Sequence, residues 1–278
     1  MPVTIHDARA RSFSSSVTTT TADYCNMQSP AHSELNAGAG AGAAAPVRLL
    51  TPSCDSAATR RALDTLGEGF REDPLLPMLG VAPWRESRFF RLFSIFLDKW
   101  SQQRVLYVAG GGDAMAIVAD SKLYKSTELG PLDLLRSGAA LELLLLPPSV
   151  WPSIGGWMDQ LNGSDQVLER HGVDDFIKIV AIATHPDARG RGLASAILNE
   201  ITARADAEGR AVFLEASPNG VEAFYRDRHG FETLEEMRFD FGERGRLDVP
   251  LMVRRPRPRA EARAAAAEGG RAAAQPAA

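Results

Sequence analysis

The residues with the clearest chemical potential lie in the stretch HPDARGRGLASAIL, residues 185–198. This stretch places two glycines and two arginines between an apolar segment and a segment with helical patterning. Glycine lets backbone N–H groups approach an anion closely, and a helix N-terminus carries a partial positive charge. Arg189 and Arg191 can add charge-assisted hydrogen bonds to phosphate oxygens. The stretch therefore predicts a phosphate-binding turn.

Several nucleotide-binding turns share this logic, and the residues around the glycines separate them. A Walker loop ends in Gly-Lys-Ser/Thr, whereas Leu193 and Ala194 follow here, which disfavours phosphoryl transfer. A dinucleotide fingerprint would use Gly190 and Gly192, with Glu215 at the end of the next strand. The intervening THPDAR and the short remaining chain disfavour it. A turn that merely joins a strand to a helix would leave both arginines unexplained.

The order of the motifs resembles the GNAT family of N-acetyltransferases. RGRGLA matches the family's acyl-CoA signature R/Q-x-x-G-x-G/A, with Arg189, Gly192 and Ala194 at the defining positions. The similarity spans residues 46–255. The other segments that carry it are FLEAS (213–217), FYRDRHGF (224–231) and, for a subgroup resembling puromycin N-acetyltransferase, GFREDPL (69–75).

Hydrophobic periodicity places these motifs in a mixed α/β domain. Some predicted strands form hairpins and others are joined through helices, which predicts a mixed central sheet with helices on both faces. The resemblance implies the GNAT-type acyl-CoA N-acyltransferase fold. The predicted strands are 47–50, 104–109, 114–119, 176–183, 211–216, 232–241 and 249–255, and the main predicted helices cover 56–73, 85–100, parts of 121–172, 193–206 and 219–228.

The resemblance implies acetyl-CoA as the co-substrate. Its pantetheine would follow the strand 176–184, and a main-chain N–H near Ile182 would stabilise the tetrahedral oxyanion. Asn219 corresponds to a family asparagine that contacts CoA, although it lies six residues before Tyr225 where relatives have seven. The residues expected to bind the cofactor are Ile182, Ala183 and Thr184 on the strand, Arg189, Gly190, Arg191, Gly192, Leu193 and Ala194 in the turn, and Asn219.

Tyr225 matches the family position for the general acid that protonates the departing sulfur. A phenol is a workable donor because it is still protonated at neutral pH, with an ordinary pKa of about 10 against about 8.5 for a thiol. By residue type alone, Tyr225 would be a core aromatic beside Phe224 and Phe231. Candidates for the base that deprotonates the amine are Glu215, Asp73, Asp174 and Asp175, each of which could instead be a helix cap or a solvated carboxylate. A water chain is the other candidate.

Lys178 departs from the family, which often places aromatic residues at the start of this strand. By strand alternation it shares a face with Val180 and Ile182. We expect it at the solvated strand end, and an acidic substrate group or a neighbouring carboxylate is its alternative partner.

The resemblance places the acceptor amine between the first-helix loop, about 70–84, and the last hairpin loop, about 242–248. The first loop would present an apolar wall and nearby charge, which suits an amphipathic small amine. The wall would consist of Leu75, Leu76, Met78 and Trp84, and the charges are Arg71, Glu72 and Asp73.

Composition narrows the partners. The net charge of −4 and the lack of a basic face give no sign of nucleic-acid binding. Two cysteines and five scattered histidines indicate neither a disulfide framework nor a metal site. The longest apolar run, AALELLLLPPSVW at 139–151, is too short to span a bilayer, and we expect a buried helix and a turn. No membrane association is predicted.

Both ends of the sequence are predicted to lie outside the domain. Residues 1–45 are rich in Ser, Thr, Gly and Ala and are predicted to be a disordered arm, and 256–278 a solvated tail. The expected location is cytoplasmic, and the alternative is an organelle if the arm is a transit peptide.

The sequence therefore predicts an acetyl-CoA-dependent N-acetyltransferase, active as a monomer or homodimer. The acceptor would be the primary amine of a small molecule, attacking directly in a ternary complex. The alternatives are acetylation of a protein N-terminus or lysine, and a CoA-binding module without turnover.

Overall fold

The computed structural model describes residues 46–50, 56–83, 86–103, 105–121, 135–218 and 220–257, all of which belong to one compact unit. The arm predicted at 1–45 and the tail from residue 258 lie outside the described residues, so both stay predictions.

Seven strands form one sheet in the order β1-β2-β3-β4-β5-β7-β6. Only β4 and β5 are parallel, and every other neighbouring pair is antiparallel. The strands are β1 (Val47–Leu50), β2 (Val105–Ala109), β3 (Ala114–Asp120), β4 (Phe176–Thr184), β5 (Ala211–Glu215), β6 (Glu232–Asp240) and β7 (Arg246–Arg254). The described helices are α1 (Ser56–Gly69), α2 (Leu75–Leu79), α3 (Arg88–Gln103), α4 (Ala139–Leu144), α5 (Trp151–Arg170), α6 (Leu193–Glu208) and α7 (Glu222–His229).

Helices cover both faces of this sheet, which confirms the predicted mixed α/β fold. Side chains alternate along β2, so that Leu106 and Val108 pack against α1 while Tyr107 and Ala109 pack against α6. Helix α5 adds a further core on the α1 face through Val167 and its neighbours. Helices α6 and α7 cover the opposite face.

A one-residue bulge divides β4 into two halves. In β3, Ile117 lies opposite Ala181 and Val118 lies opposite Ile179, which leaves Val180 as the extra residue. Val180 and Ala181 therefore both pack on the α1 face, and Ile182 packs on the α6 face. The prediction that Ile182 shares a face with Lys178 is wrong because the bulge shifts the alternation by one residue.

The pairing of β4 with β5 ends at the same place. Ile179 lies opposite Leu214 in the last pair of their register, whereas β4 continues to Thr184 alongside β3. A bulged strand bends and twists away from its neighbour. The second half of β4 therefore has a sheet partner on one side and a gap on the other.

The three-glycine turn between β2 and β3 brings α1 against the rest of the sheet. Gly112 has a φ of +107°, and a Cβ atom there would lie 2.9 Å from the Ala58 carbonyl oxygen. The Thr65 hydroxyl donates a 2.7 Å hydrogen bond to the Gly112 carbonyl. The next carbonyl, that of Asp113, accepts from the His185 amide at 2.8 Å, so this turn also holds the start of the predicted phosphate-binding turn.

A separate core forms where α2, α3 and α4 pack against the far end of the β6–β7 hairpin. Helix α1 ends at Gly69, earlier than the Asp73-Pro74 boundary predicted, and α2 begins directly after Pro74. The predicted burial of the 139–151 run is wrong in part, since Leu144 is 81% exposed. None of the helices in the described ranges is long and apolar enough to cross a membrane.

Candidate active site

The phosphate-binding turn has the conformation that its glycines suggest. After a short 3-10 turn at Pro186–Ala188, Gly190 and Gly192 adopt left-handed φ values of +79° and +74°. Non-glycine residues rarely adopt this conformation, so both glycines are required by the backbone. Within the described residues, no turn carbonyl accepts from the amides of residues 190–192. These donors are available to an anion at the start of α6.

A cavity of about 540 Å³ opens beside this turn, bounded by the start of α6 and one side of α7. Its volume falls within the range of small-molecule and cofactor sites. The lining residues are Thr184, Ala188, Arg189, Gly190, Gly192, Leu193, Ala194, Ser195, Ala223, Phe224, Asp227 and Arg228. The structure thus brings together most of the predicted cofactor residues.

The side chains of Arg191 and Ala183, which were predicted to bind the cofactor, do not line the cavity. The exposed Arg191 side chain donates to the Asp187 carbonyl at 2.9 Å and does not line the cavity. The Ala183 side chain is buried against α1, so only its backbone can serve a ligand. Asn219 lies outside the described residues, and its role stays a prediction.

Helix α7 contributes cavity residues that were not predicted to bind the cofactor, although three of them lie in the motif FYRDRHGF. Ala223 and Phe224 line the cavity, and so do Asp227 and Arg228 one helical turn later. Residues at this spacing lie on one face of a helix. That spacing was readable in the sequence. Which face of α7 points towards the cavity depends on its packing against α6.

The half of β4 that β5 does not pair with reaches the cavity at its last residue. Ile182 is half-buried against the α6 and α7 core, and Thr184 lines the cavity itself. On the opposite side of the sheet, α1 fits closely, since a Cβ on Gly69 would lie 2.8 Å from that of Ala183. Side chains on the α1 side of residues 180–184 are therefore closely packed, while the backbone edge of these residues that faces β5 is unpaired.

Tyr225 is 93% buried, and its ring packs edge-on against Phe224 and Phe231 at centroid distances of 5.3 and 5.8 Å. The ring of Tyr225 is therefore part of the hydrophobic core, as its residue type alone predicted. Its hydroxyl, however, has no hydrogen-bond partner among the described residues, which is unusual for a buried tyrosine. Burial raises the pKa of Tyr225 to about 12, so the phenol is protonated at neutral pH.

Glu215 and Lys178 form a buried ion pair between α5 and the sheet. Lys178 is only 4% exposed, and its Nζ lies 2.8 Å from Glu215 Oε1. The expectation that Lys178 lies at a solvated strand end is wrong, because Phe213 and α5 cover it. The Ser164 hydroxyl donates to the same Oε1 at 3.0 Å. Within the described residues, Glu215 Oε2 has no hydrogen-bond partner.

The structure separates the other candidate bases. Asp73 accepts from the Leu75 amide through Oδ1 at 2.9 Å and from the Ser217 hydroxyl through Oδ2 at 2.7 Å. It ties the start of α2 to the end of β5. Asp174 and Asp175 precede β4, roughly 30 Å from its far end at the usual strand rise. Asp175 pairs there with Arg210 at 2.7 Å.

The two segments predicted to flank the acceptor amine are held together by hydrogen bonds and apolar packing. The hairpin turn ends at Gly245, and its Arg244 donates to the Ser153 hydroxyl at 2.7 Å and the Ser149 carbonyl at 3.1 Å. Leu76 is 4% exposed inside the core that α2 shares with the hairpin, so it is not part of an open apolar wall. Trp84 lies outside the described residues.

Across the described ranges, no group of three or more His, Cys, Asp or Glu side chains could hold a metal ion. The site in this part of the chain is instead a glycine-lined anion turn, an open strand edge, a buried phenol and an ion-paired carboxylate.

Comparison with known families gives one match. Residues 159–233 match the model described as acetyltransferase (GNAT) domain. This range covers the second part of α5, all of β4 to α7 and the start of β6, and so contains the turn, the gap, Glu215 and Tyr225. No curated protein matched the chain in sequence.

Several solved structures are similar in fold. A histone acetyltransferase HPA2 and related acetyltransferase from Corynebacterium glutamicum has 20% identity, covers 76% of this chain and 97% of its own, and gives a TM-score of 0.46. The polyamine N-acetyltransferase of Drosophila melanogaster has 16% identity, with 76% and 100% covered and a TM-score of 0.49. Arylalkylamine N-acetyltransferase 2 of Aedes aegypti has 15% identity, with 76% and 99% covered and a TM-score of 0.48. Similarity at this level carries no information on the substrate of this chain.

Proposed function

We propose that this chain transfers an acetyl group from acetyl-CoA to the primary amine of a small molecule. Its residues 159–233 match the model of a GNAT acetyltransferase domain. The observation that carries the proposal is the cavity at the glycine turn, which Thr184 lines at the end of the half of β4 that β5 does not pair with. A phosphate site joined to an exposed strand edge suits a ligand with a pyrophosphate at one end and an amide-bearing arm at the other.

The donor would bind through backbone more than through side chains. The amides of residues 190–194 would donate to the pyrophosphate, and Arg189, exposed and lining the cavity, would add positive charge. The pantetheine arm would pair with β4 beyond Ile179, where β5 no longer does. Side chains of this half of β4 are then free to pack against α1 and α6.

Transfer requires the amine nitrogen to attack the thioester carbonyl, so that a C–N bond forms and the C–S bond breaks. A main-chain N–H near Ile182 would stabilise the oxyanion of the tetrahedral intermediate. At a pKa of about 12, full proton transfer from Tyr225 to a thiolate of ordinary pKa about 8.5 would be uphill by about 5 kcal/mol. We therefore assign Tyr225 as the hydrogen-bond donor that stabilises the departing sulfur.

Glu215 is the proposed acceptor of the proton that the amine loses. Asp73 uses both oxygens in structural hydrogen bonds, and Asp174 and Asp175 lie at the wrong end of β4. Lys178 and Ser164 hold Glu215 at the end of β5 through Oε1, and within the described residues Oε2 has no partner. Its Oε2 remains to receive the proton.

A small acceptor is favoured over a peptide because the hairpin turn closes on α2 and α5. A peptide would need an open groove between these segments, and Arg244 spans it through hydrogen bonds to Ser149 and Ser153. The finer proposal, a member of the puromycin N-acetyltransferase subgroup, rests on the segment GFREDPL alone. It makes aminonucleosides the first acceptors to test.

The experiment uses the purified full chain. Calorimetry measures acetyl-CoA binding, and a thiol reagent then follows CoA release with aminonucleosides, polyamines, arylamines and peptides. We expect binding, and turnover with at least one small amine. Absence of any binding heat and of any thermal shift contradicts the proposal. Binding without turnover on every acceptor favours the non-catalytic module, and preference for peptides favours the protein acetyltransferase.

A further inference from the structure

His229 is a buried histidine whose place in the site no motif explains. It ends α7 and is 93% buried, and its ring meets that of Phe224 edge-on at 4.9 Å. Burial, together with the positive charges of Arg228 and Arg254, lowers the pKa of His229 to about 4. The imidazole is therefore neutral at physiological pH, with one ring nitrogen as donor and the other as acceptor.

The hydrogen-bond partner of His229 is Ser195 in the first turn of α6. The distance from His229 Nε2 to Ser195 Oγ is 3.3 Å. Ser195 also lines the cavity beside Gly192 and Ala194, which are proposed to hold the pyrophosphate. Thus one side of the serine faces the ligand space and the other faces a neutral histidine.

The direction of this hydrogen bond decides what Ser195 can offer. If its hydroxyl donates to Nε2, only oxygen lone pairs face the cavity, and these repel a phosphate oxygen. If Nε2–H donates to Oγ, the hydroxyl proton is free to point into the cavity. A hydrogen bond to an ionised oxygen is about twice as strong as one between neutral groups.

We propose that His229 is a positioning residue, which donates from Nε2–H to Ser195 and thereby aims the serine hydroxyl at a phosphate oxygen of the bound acyl-CoA. This inference rests on the proposed function and deepens it. It assigns to one side-chain pair a part of pyrophosphate recognition that backbone amides do not supply.

The test measures acetyl-CoA binding to the full chain by calorimetry in matched variants. Ser195→Ala removes the hydroxyl, and Ser195→Thr retains it. Thr202→Val is the control, because it removes a hydroxyl from the same helix that bonds only the Asn199 carbonyl. We expect about tenfold weaker binding for Ser195→Ala and near wild-type binding for the threonine variant and the control.

The contribution of His229 is measured against that of the serine. His229→Leu is expected to weaken acetyl-CoA binding as much as Ser195→Ala does. His229→Gln keeps an N–H donor and is expected to weaken binding less than His229→Leu. In the Ser195→Ala background, His229→Leu should add no further loss. A loss that adds in full would mean that the histidine acts only on packing, and would overturn the positioning role.

Two further measurements keep the inference testable if His229→Leu does not fold. With S-acetylpantetheine, which lacks the pyrophosphate, kcat/KM should be the same for wild type and Ser195→Ala. Nitrogen NMR of His229 in the acetyl-CoA complex should show the Nε2–H tautomer. The Nδ1–H tautomer, or binding by Ser195→Ala within twofold of wild type, overturns the inference. A wild-type chain that does not bind acetyl-CoA contradicts the proposed function instead.

Discussion

Replacing Lys178 with methionine tests whether the Lys178–Glu215 pair is a single buried unit. Methionine matches the length of the lysine stem, and the ring of Phe213, 5.2 Å from Nζ, offers it an apolar neighbour. The substitution leaves the Glu215 carboxylate under α5 with only the Ser164 hydroxyl as a described donor. Breaking one partner of a buried pair typically costs about 3–5 kcal/mol. For a domain of this size, that corresponds to a drop in Tm of roughly 10 °C.

The assay is urea denaturation followed by circular dichroism, with Lys178→Met, Glu215→Leu and the double variant. Because the double variant removes both charges, we expect its free energy of unfolding to return to within about 2 kcal/mol of wild type. The double variant also separates stability from chemistry. It should bind acetyl-CoA normally and yet lose most of its kcat, since the proposed base is absent.

Two results would refute this reasoning at different points. If Lys178→Met is as stable as wild type, or if the two single effects simply add, the pair is not an energetic unit. If the double variant is stable and acetylates amines at the wild-type rate, Glu215 has only a structural role, and a water chain becomes the route for the proton.

Four further outcomes are expected. Tyr225→Phe should lower kcat by about tenfold or more with the Kd for acetyl-CoA unchanged in calorimetry; an unaltered kcat removes the tyrosine from the mechanism. Gly192→Ala should cost about 1–2 kcal/mol of stability and weaken acetyl-CoA binding, whereas Gly209→Ala, with a similar φ of +70° at the other end of α6, should cost stability alone. Arg244→Ala should raise kcat/KM for peptide amines relative to small amines, and a constant ratio contradicts the closure argument. Because the pKa of His229 is about 4 folded and about 6.5 unfolded, stability should fall between pH 6.5 and 4 by up to about 3 kcal/mol, and His229→Gln should lack this part in denaturation curves.

The donor side of the site was predictable because it depends on local sequence. Gly190 and Gly192 are required by their own backbone conformation, and Leu193 begins α6 where the sequence predicted a helix. Strand and helix order followed from periodicity for the same reason. Local patterns specify local geometry, and the glycine turn is a local structure.

The acceptor side was not predictable, since it depends on contacts between distant segments. Nothing near Arg244 in the sequence indicates that it reaches Ser149 and Ser153. The burial of Lys178 likewise follows from a helix that approaches the sheet from another part of the chain. Asp73 resembles a free carboxylate in sequence, and only the fold reveals that Ser217 occupies it.

The bulge at Val180 has a consequence for how β4 can vary. The first half of the strand pairs with β3 on one edge and β5 on the other, so substitutions there affect the stability of the fold. In the second half, one edge is left to the proposed pantetheine, so substitutions that preserve the backbone path can be accepted if the helices accommodate them. Deleting Val180 would restore the regular alternation and leave Ala181 and Ala183 towards α1 and Ile182 towards α6, as they are now. The deletion would therefore keep the close fit between Ala183 and Gly69 and remove the bend that turns β4 away from β5. The length of this strand thus matters for its unpaired edge and not for its packing.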